Sequence, residues 1–150
     1  MLVYLILNMN NDLTQLTKNI KVAQIIEINK HPNADRLVLV KLDIGANQVV
    51  EIVTGATNIN VSDFVPFLSS GSIVPGYKIF ENKTILLQPK DIRGVVSNGM
   101  ILSEFEVGFS DDHSGIFILN EFGINEDDIG KSLIEVIPEI LEKVSNNFNY

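Results

Sequence analysis

Three consecutive residues of this 150-residue chain, Asp111, Asp112 and His113, carry the side chains that acid–base or metal-assisted chemistry draws on. They stand inside the polar run Ser110-Asp-Asp-His-Ser-Gly115. Adjacent residues rarely converge on one reacting atom, and Ser, Asp and Gly in succession are what a tight turn needs, so the run reads as a loop. There is no cysteine, which excludes a disulfide framework, a thiol nucleophile and cysteine-ligated zinc or iron–sulfur sites. The two histidines, His31 and His113, are too far apart for a helical zinc-binding pair. No nucleophile, base and orienting group form a plausible set. The residues therefore assign no catalytic group, no metal site and no cofactor, and the chain is not expected to be an enzyme.

Charge is the next source of chemistry. The net charge is −8, which taken whole argues against tight, indiscriminate binding to polyanions. The average hides an asymmetry. Residues 18–93 hold nine basic and seven acidic side chains, whereas residues 94–150 hold two basic and eleven acidic ones. Such a division reads first as a solvated acidic surface that keeps the protein in solution, and second as a polyanion-binding face followed by an acidic tail.

The elements that must position these groups are mostly short strands. Met1–Leu7 is apolar but too short to span a membrane and has no basic flank, so a strand is expected, in a soluble, cytoplasmic protein. Ile20–Asn29 is rich in Ile and Val. Leu37–Ile44 alternates, with Val38, Val40, Leu42 and Ile44 on an apolar face, and Gly45-Ala-Asn47 turns the chain back into Val49–Val53. Phe64–Leu68 is a strand whose Pro66 implies an edge or a bulge. Pro75-Gly76 reads as a turn, Tyr77–Phe80 and Thr84–Leu87 as short strands, Ser103–Val107 as one helical turn, and Ile116–Leu119 as a strand. Lys131–Val144 has apolar residues at helical spacing, interrupted or restarted at Pro138. At least six short strands and one late helix predict a mainly β domain, a small barrel or sandwich.

The ordered set Asn29-Lys-His-Pro-Asn-Ala-Asp-Arg-Leu37, Lys41-Leu-Asp-Ile-Gly45, Ile52-Val-Thr-Gly-Ala-Thr-Asn58, Gly71-Ser-Ile-Val-Pro-Gly76, Ile92-Arg-Gly-Val-Val-Ser-Asn-Gly-Met100, Leu102-Ser103 and Ser110–Gly115 resembles the tRNA-binding domain of the endothelial monocyte-activating polypeptide type. Within that family it is most similar to the domain near the N-terminus of the bacterial phenylalanyl-tRNA synthetase β chain and to short related stand-alone proteins. The resemblance covers about residues 20–120. It implies an OB-fold barrel at 20–120, preceded by an extension (1–19) packed on the barrel and followed by an acidic extension with a helix (121–150).

It also implies a non-catalytic protein that recognises tRNA by shape and phosphate backbone, as an accessory in tRNA handling or aminoacylation. Carried over residue by residue, the RNA-binding candidates are Lys30, Arg36, Lys41, Lys90, Arg93, Ser97 and Met100. His31, Pro32, Asn33 and Asp35 read as loop architecture. The chain departs from the family pattern at Thr54, where a cysteine is common, and at Gln88-Pro-Lys-Asp91, where more lysines are common. Fewer cations mean fewer released counterions and weaker RNA binding. Expected partners are tRNA, an aminoacyl-tRNA synthetase and a second copy of the chain, and no membrane. The alternative is a protein-interaction module with little RNA affinity, docking to a synthetase through the acidic C-terminal part or self-associating.

Overall fold

The computed structural model describes residues 12–148. The strand expected over Met1–Leu7 lies outside them. A short helix α1 (residues 12–17) leads into β1 (Lys21–Lys30), β2 (Val38–Asp43), β3 (Val49–Thr54) and β4 (Phe64–Leu68). Helix α2 (Pro75–Glu81) is followed by the hairpin β5 (Lys90–Ile92) and β6 (Val95–Ser97), then β7 (Met100–Ile101) and α3 (Glu104–Val107). Two 3-10 turns precede α4 (Leu133–Val136) and α5 (Pro138–Asn147).

Five strands form one antiparallel sheet in the order β3-β2-β1-β4-β7, and its edge strands β3 and β7 approach each other. The result is the nearly closed, mainly β barrel that the sequence predicts. Ala23, Ile25, Val40, Leu42, Ile52, Val65, Phe67 and Ile101 fill its interior. The period-two alternation of β1 and β4 sends Val22 and Leu68 the other way, into a second core with Leu13, Ile20, Val74, Ile79, Leu102, Val107, Leu133, Ile137, Ile140 and Val144. Strand β4 and the first half of β1 thus bury both faces, which is why Phe64–Leu68 is apolar throughout. Helix α5 packs back on the rest of the fold through Ile140 and Val144.

Pro66 lies inside the sheet rather than on its edge. Its carbonyl accepts from Leu102 N–H at 3.0 Å. The donor that proline lacks would have met the Leu102 carbonyl, which takes Phe117 N–H instead at 2.9 Å. Three short elements differ from expectation. Tyr77–Phe80 belongs to helix α2, with Pro75 in its first turn, where a missing N–H costs nothing. Thr84–Leu87 forms no regular strand. Leu86 makes a single bridge to Ile73, and Leu87 exchanges bonds with the Gly71–Ser72 backbone. Ile116–Leu119 joins no ladder: Ile116 N–H donates to Asn58 Oδ1, and the amides of Phe117 and Leu119 donate to the Leu102 and Phe64 carbonyls.

Candidate nucleic-acid interface

The predicted cations divide by whether another charge already meets them. Among the described residues, ion pairs within 4.0 Å join Lys41 to Glu27, Lys83 to Glu81 and Lys131 to Asp128. Lys30, Arg36, Lys90 and Arg93 enter none of these, and all four are exposed. Lys41 faces Glu27 across the β1–β2 ladder, its Nζ 2.8 Å from the carboxylate. That hydrogen bond holds the Glu27 carboxyl below the usual carboxylate range and raises the Lys41 ammonium.

Lys90 and Arg93 sit on the β5–β6 hairpin, whose two-residue turn is Arg93-Gly94 between the paired Ile92 and Val95. Both turn residues have positive φ, 53° and 92°. This is the twist that short hairpins favour, and its first position is usually Asn or Asp. Arginine there is held in a conformation that costs a β-carbon residue about 1 kcal/mol. The surroundings hold it. Asp91 Oδ1 accepts from Gly94 N–H at 2.8 Å, and Asn33 Nδ2 donates to the Arg93 carbonyl at 2.9 Å. His31 Nε2 donates to the Ile92 carbonyl at 2.8 Å, while His31 Nδ1 accepts from Asn33 N–H at 3.0 Å. The loop that follows Lys30 therefore grips the hairpin from behind, and the long side chains of Lys90 and Arg93 are left in water.

The remaining candidates lie at the hairpin's base. Ser97 is buried; its hydroxyl accepts from Val53 N–H at 3.0 Å and donates to the Gly99 carbonyl at 3.2 Å, fastening β6 to β3. Met100 is half-buried and lines a recess of about 670 Å³ with Tyr77, Ile85, Leu86, Pro89 and Lys90. Burial, with smaller effects from Glu106 and Glu81, raises the Tyr77 phenol above its usual value.

The Asp111-Asp112-His113 run is a turn. Asp112 Oδ1 accepts from both the backbone and the hydroxyl of Ser114, which lowers its carboxyl below the usual range. The His113 ring stacks on Phe105, centroids 3.8 Å apart. Among the described residues no group of three or more His, Asp or Glu is placed to hold a metal ion. No helix among them is long and apolar enough to cross a membrane. Two tethers, His31 and Asn33, were legible only as loop formers, because their partners lie some sixty residues away. The clamp by Asn58, which donates Nδ2 to the Ile116 carbonyl and accepts Ile116 N–H, likewise had no local signal.

Residues 20–122 match the model of the tRNA_bind family, described as "Putative tRNA binding domain". The chain belongs to this family. Its tRNA_bind region is also similar to phenylalanine–tRNA ligase beta subunits. The chain is 50% identical over 102 residues to that of Dehalococcoides mccartyi (strain CBDB1), covering 67% of this chain and 12% of the relative. It is 38% identical over 122 residues to that of Clostridium acetobutylicum, covering 79% and 14%. The chain thus spans only about an eighth of the length of these relatives. Among solved structures, a Naegleria gruberi RNA ligase matches with TM-score 0.51 and 14% identity, over 81% of this chain and 34% of that one, a likeness of fold alone.

Proposed function

We propose that this tRNA_bind domain is non-catalytic and binds tRNA by shape and phosphate backbone, as an accessory in tRNA handling or aminoacylation. One observation carries the reading: the hairpin tip is an arginine, held at positive φ by bonds to its own carbonyl and to the next amide, with Lys90 beside it and the loop after Lys30 behind it. Fixed backbone and free cationic ends suit phosphates, which are bound by charge and reach rather than by base edges. Lys30, Arg36, Lys90 and Arg93 are the principal contacts, and Lys41, once released from Glu27, a lesser one. Ser97 supports the hairpin from within, and Met100 offers an apolar contact for an unstacked base.

The test is binding of unfractionated tRNA across a salt series. Log K is expected to fall with log salt, with a slope of about −0.7 to −0.9 per phosphate contact. Absence of binding at low salt would overturn the reading. A protein-interaction role is the second reading, favoured by the exposed Ile85 and Leu86 beside the recess, 41% and 51% accessible. Recovery of a synthetase in a pull-down that Leu86→Asp abolishes, without tRNA binding, would select it.

A further inference from the structure

We infer that His31 is a positioning residue for the proposed RNA contact, and that it works only in its neutral form. The inference rests on reading the β5–β6 hairpin as the tRNA-binding surface. The two ring nitrogens are used in opposite senses. The Ile92 carbonyl can only accept, so Nε2 carries the proton; Asn33 N–H can only donate, so Nδ1 is bare. The residue is 6% exposed, so little water is at hand to replace either partner.

A second proton would go on Nδ1 and set two donors against each other. Asn33 would be pushed off the ring, and Asn33 also carries the amide that holds the Arg93 carbonyl. Acid therefore loosens the turn that presents Arg93 and Lys90, although it adds positive charge. A surface that binds phosphates through lysines and arginines alone should bind no more weakly as pH falls; a surface latched by neutral His31 should. The sign of the pH dependence separates the two.

The charged groups on the segments around the ring are Lys30, Asp35 and Arg36 on its own side and Lys90, Asp91 and Arg93 on the hairpin. Among side chains, imidazole is the one that ordinarily changes charge between about pH 5 and 8. The other imidazole, His113, stacks on Phe105 and serves as the control.

The experiment measures unfractionated tRNA binding at fixed ionic strength from about pH 7.5 to about pH 5.5, for the natural protein, His31→Gln and His113→Gln. The affinity of the natural protein and of His113→Gln is expected to fall about three- to tenfold, the worth of one lost buried bond, while His31→Gln stays flat. In parallel, ¹⁵N order parameters of the Arg93, Gly94 and Val95 amides are read without RNA. They should fall on acidification in the natural protein and hold in His31→Gln. Affinity that rises or stays level on acidification would overturn the inference, as would a fall that persists in His31→Gln or amide order that ignores pH. If tRNA does not bind at any pH but the amides still loosen, the functional reading fails and the latch stands. Should His31→Gln not fold, the amides of the natural protein decide the matter alone.

Discussion

Residues 74–107 contain two neighbouring structures held by different means. Helices α2 and α3 meet backbone to backbone: Gly76 lies against the Phe105 carbonyl so closely that a β-carbon there would overlap it. Tyr77 packs edge-on to the Phe105 ring at 5.2 Å, Phe80 stacks on it at 5.1 Å, and Ile79 and Val107 are buried beside them. The β5–β6 hairpin has no such core. Lys90, Asp91, Arg93, Gly94 and Val96 are exposed, and the hairpin is held by hydrogen bonds that His31 and Asn33 donate to its carbonyls, that Asp91 accepts from Gly94 and that Ser97 accepts from Val53. Packed junctions resist any change of shape, whereas a bonded hairpin can carry varied side chains at its tip without cost to the core. The contrast explains how the hairpin holds Lys90 and Arg93 out in water at no cost to the packed core.

The sharpest way to break the contrast is Gly76→Ala. Its methyl group has backbone, not a flexible side chain, in its way, so α2 and α3 must separate. The expected cost is about 3 kcal/mol or more, a melting temperature lower by roughly 10 °C by calorimetry. If Gly76→Ala melts within a degree or two of the natural protein, the junction is not rigid and the comparison collapses. Asn58→Ala should come next. It strips two bonds from Ile116 and should cost about 1–2 kcal/mol by denaturant unfolding, because here too a loop asparagine holds a segment with no ladder of its own.

Much of this was legible in the sequence, for reasons that also explain the misses. The alternation over Leu37–Ile44 and the turn at Gly45-Ala-Asn47 gave β2 and β3 because both signals are local. Tyr77–Phe80 is ambiguous in the sequence because four residues with three apolar members fit a strand or a helix equally well. What decides is the seat on Phe105, far along the chain, and Gly76 is there for that close approach rather than for a turn. The cations of the hairpin were visible as residues within motifs, but their freedom was not. Whether a lysine is paired depends on register, and the register of β1 on β2 shifts between Ile25 and Glu27, bringing Glu27 opposite Lys41. Nothing in the spacing of single residues announces that shift. Ser97 was visible as a hydroxyl in a turn-rich stretch; that it points at Val53 follows only from β6 leaning on β3.

On the hairpin itself the expectation reverses: stability stays and affinity goes. Arg93→Ala and Lys90→Ala should each leave the melting temperature nearly unchanged, since both side chains are exposed and enter no ion pair among the described residues. Each should weaken tRNA binding about fivefold (~1 kcal/mol). The salt slope should become shallower by about 0.8 per cation removed. A variant with both changes should show the sum, provided the two reach separate phosphates. Equal slopes in all variants would mean that the hairpin does not touch the backbone of the RNA.

Lys41→Met sets the smallest and most discriminating test, because it asks whether an exposed lysine counts when a carboxylate already meets it. Lys41 must leave Glu27 before it can serve a phosphate, and the two interactions then largely exchange. The salt slope should therefore change by clearly less than for Arg93→Ala. The pair itself should respond in a fixed direction. Lys41 holds the Glu27 carboxyl below its ordinary range, so in Lys41→Met that carboxyl should titrate at higher pH by carbon-detected NMR. A carboxylate held low in the folded state favours folding above its ordinary range and loses that contribution as pH falls through the lowered value. Any stability the pair supplies is thus present at neutral pH and lost on the acid side. Both groups are solvent-exposed, so this contribution should be too small to shift the melting temperature measurably. A slope change as large as that of Arg93→Ala would put Lys41 on equal footing with the hairpin, and the line between free and paired cations would then not be the line between binding and non-binding ones.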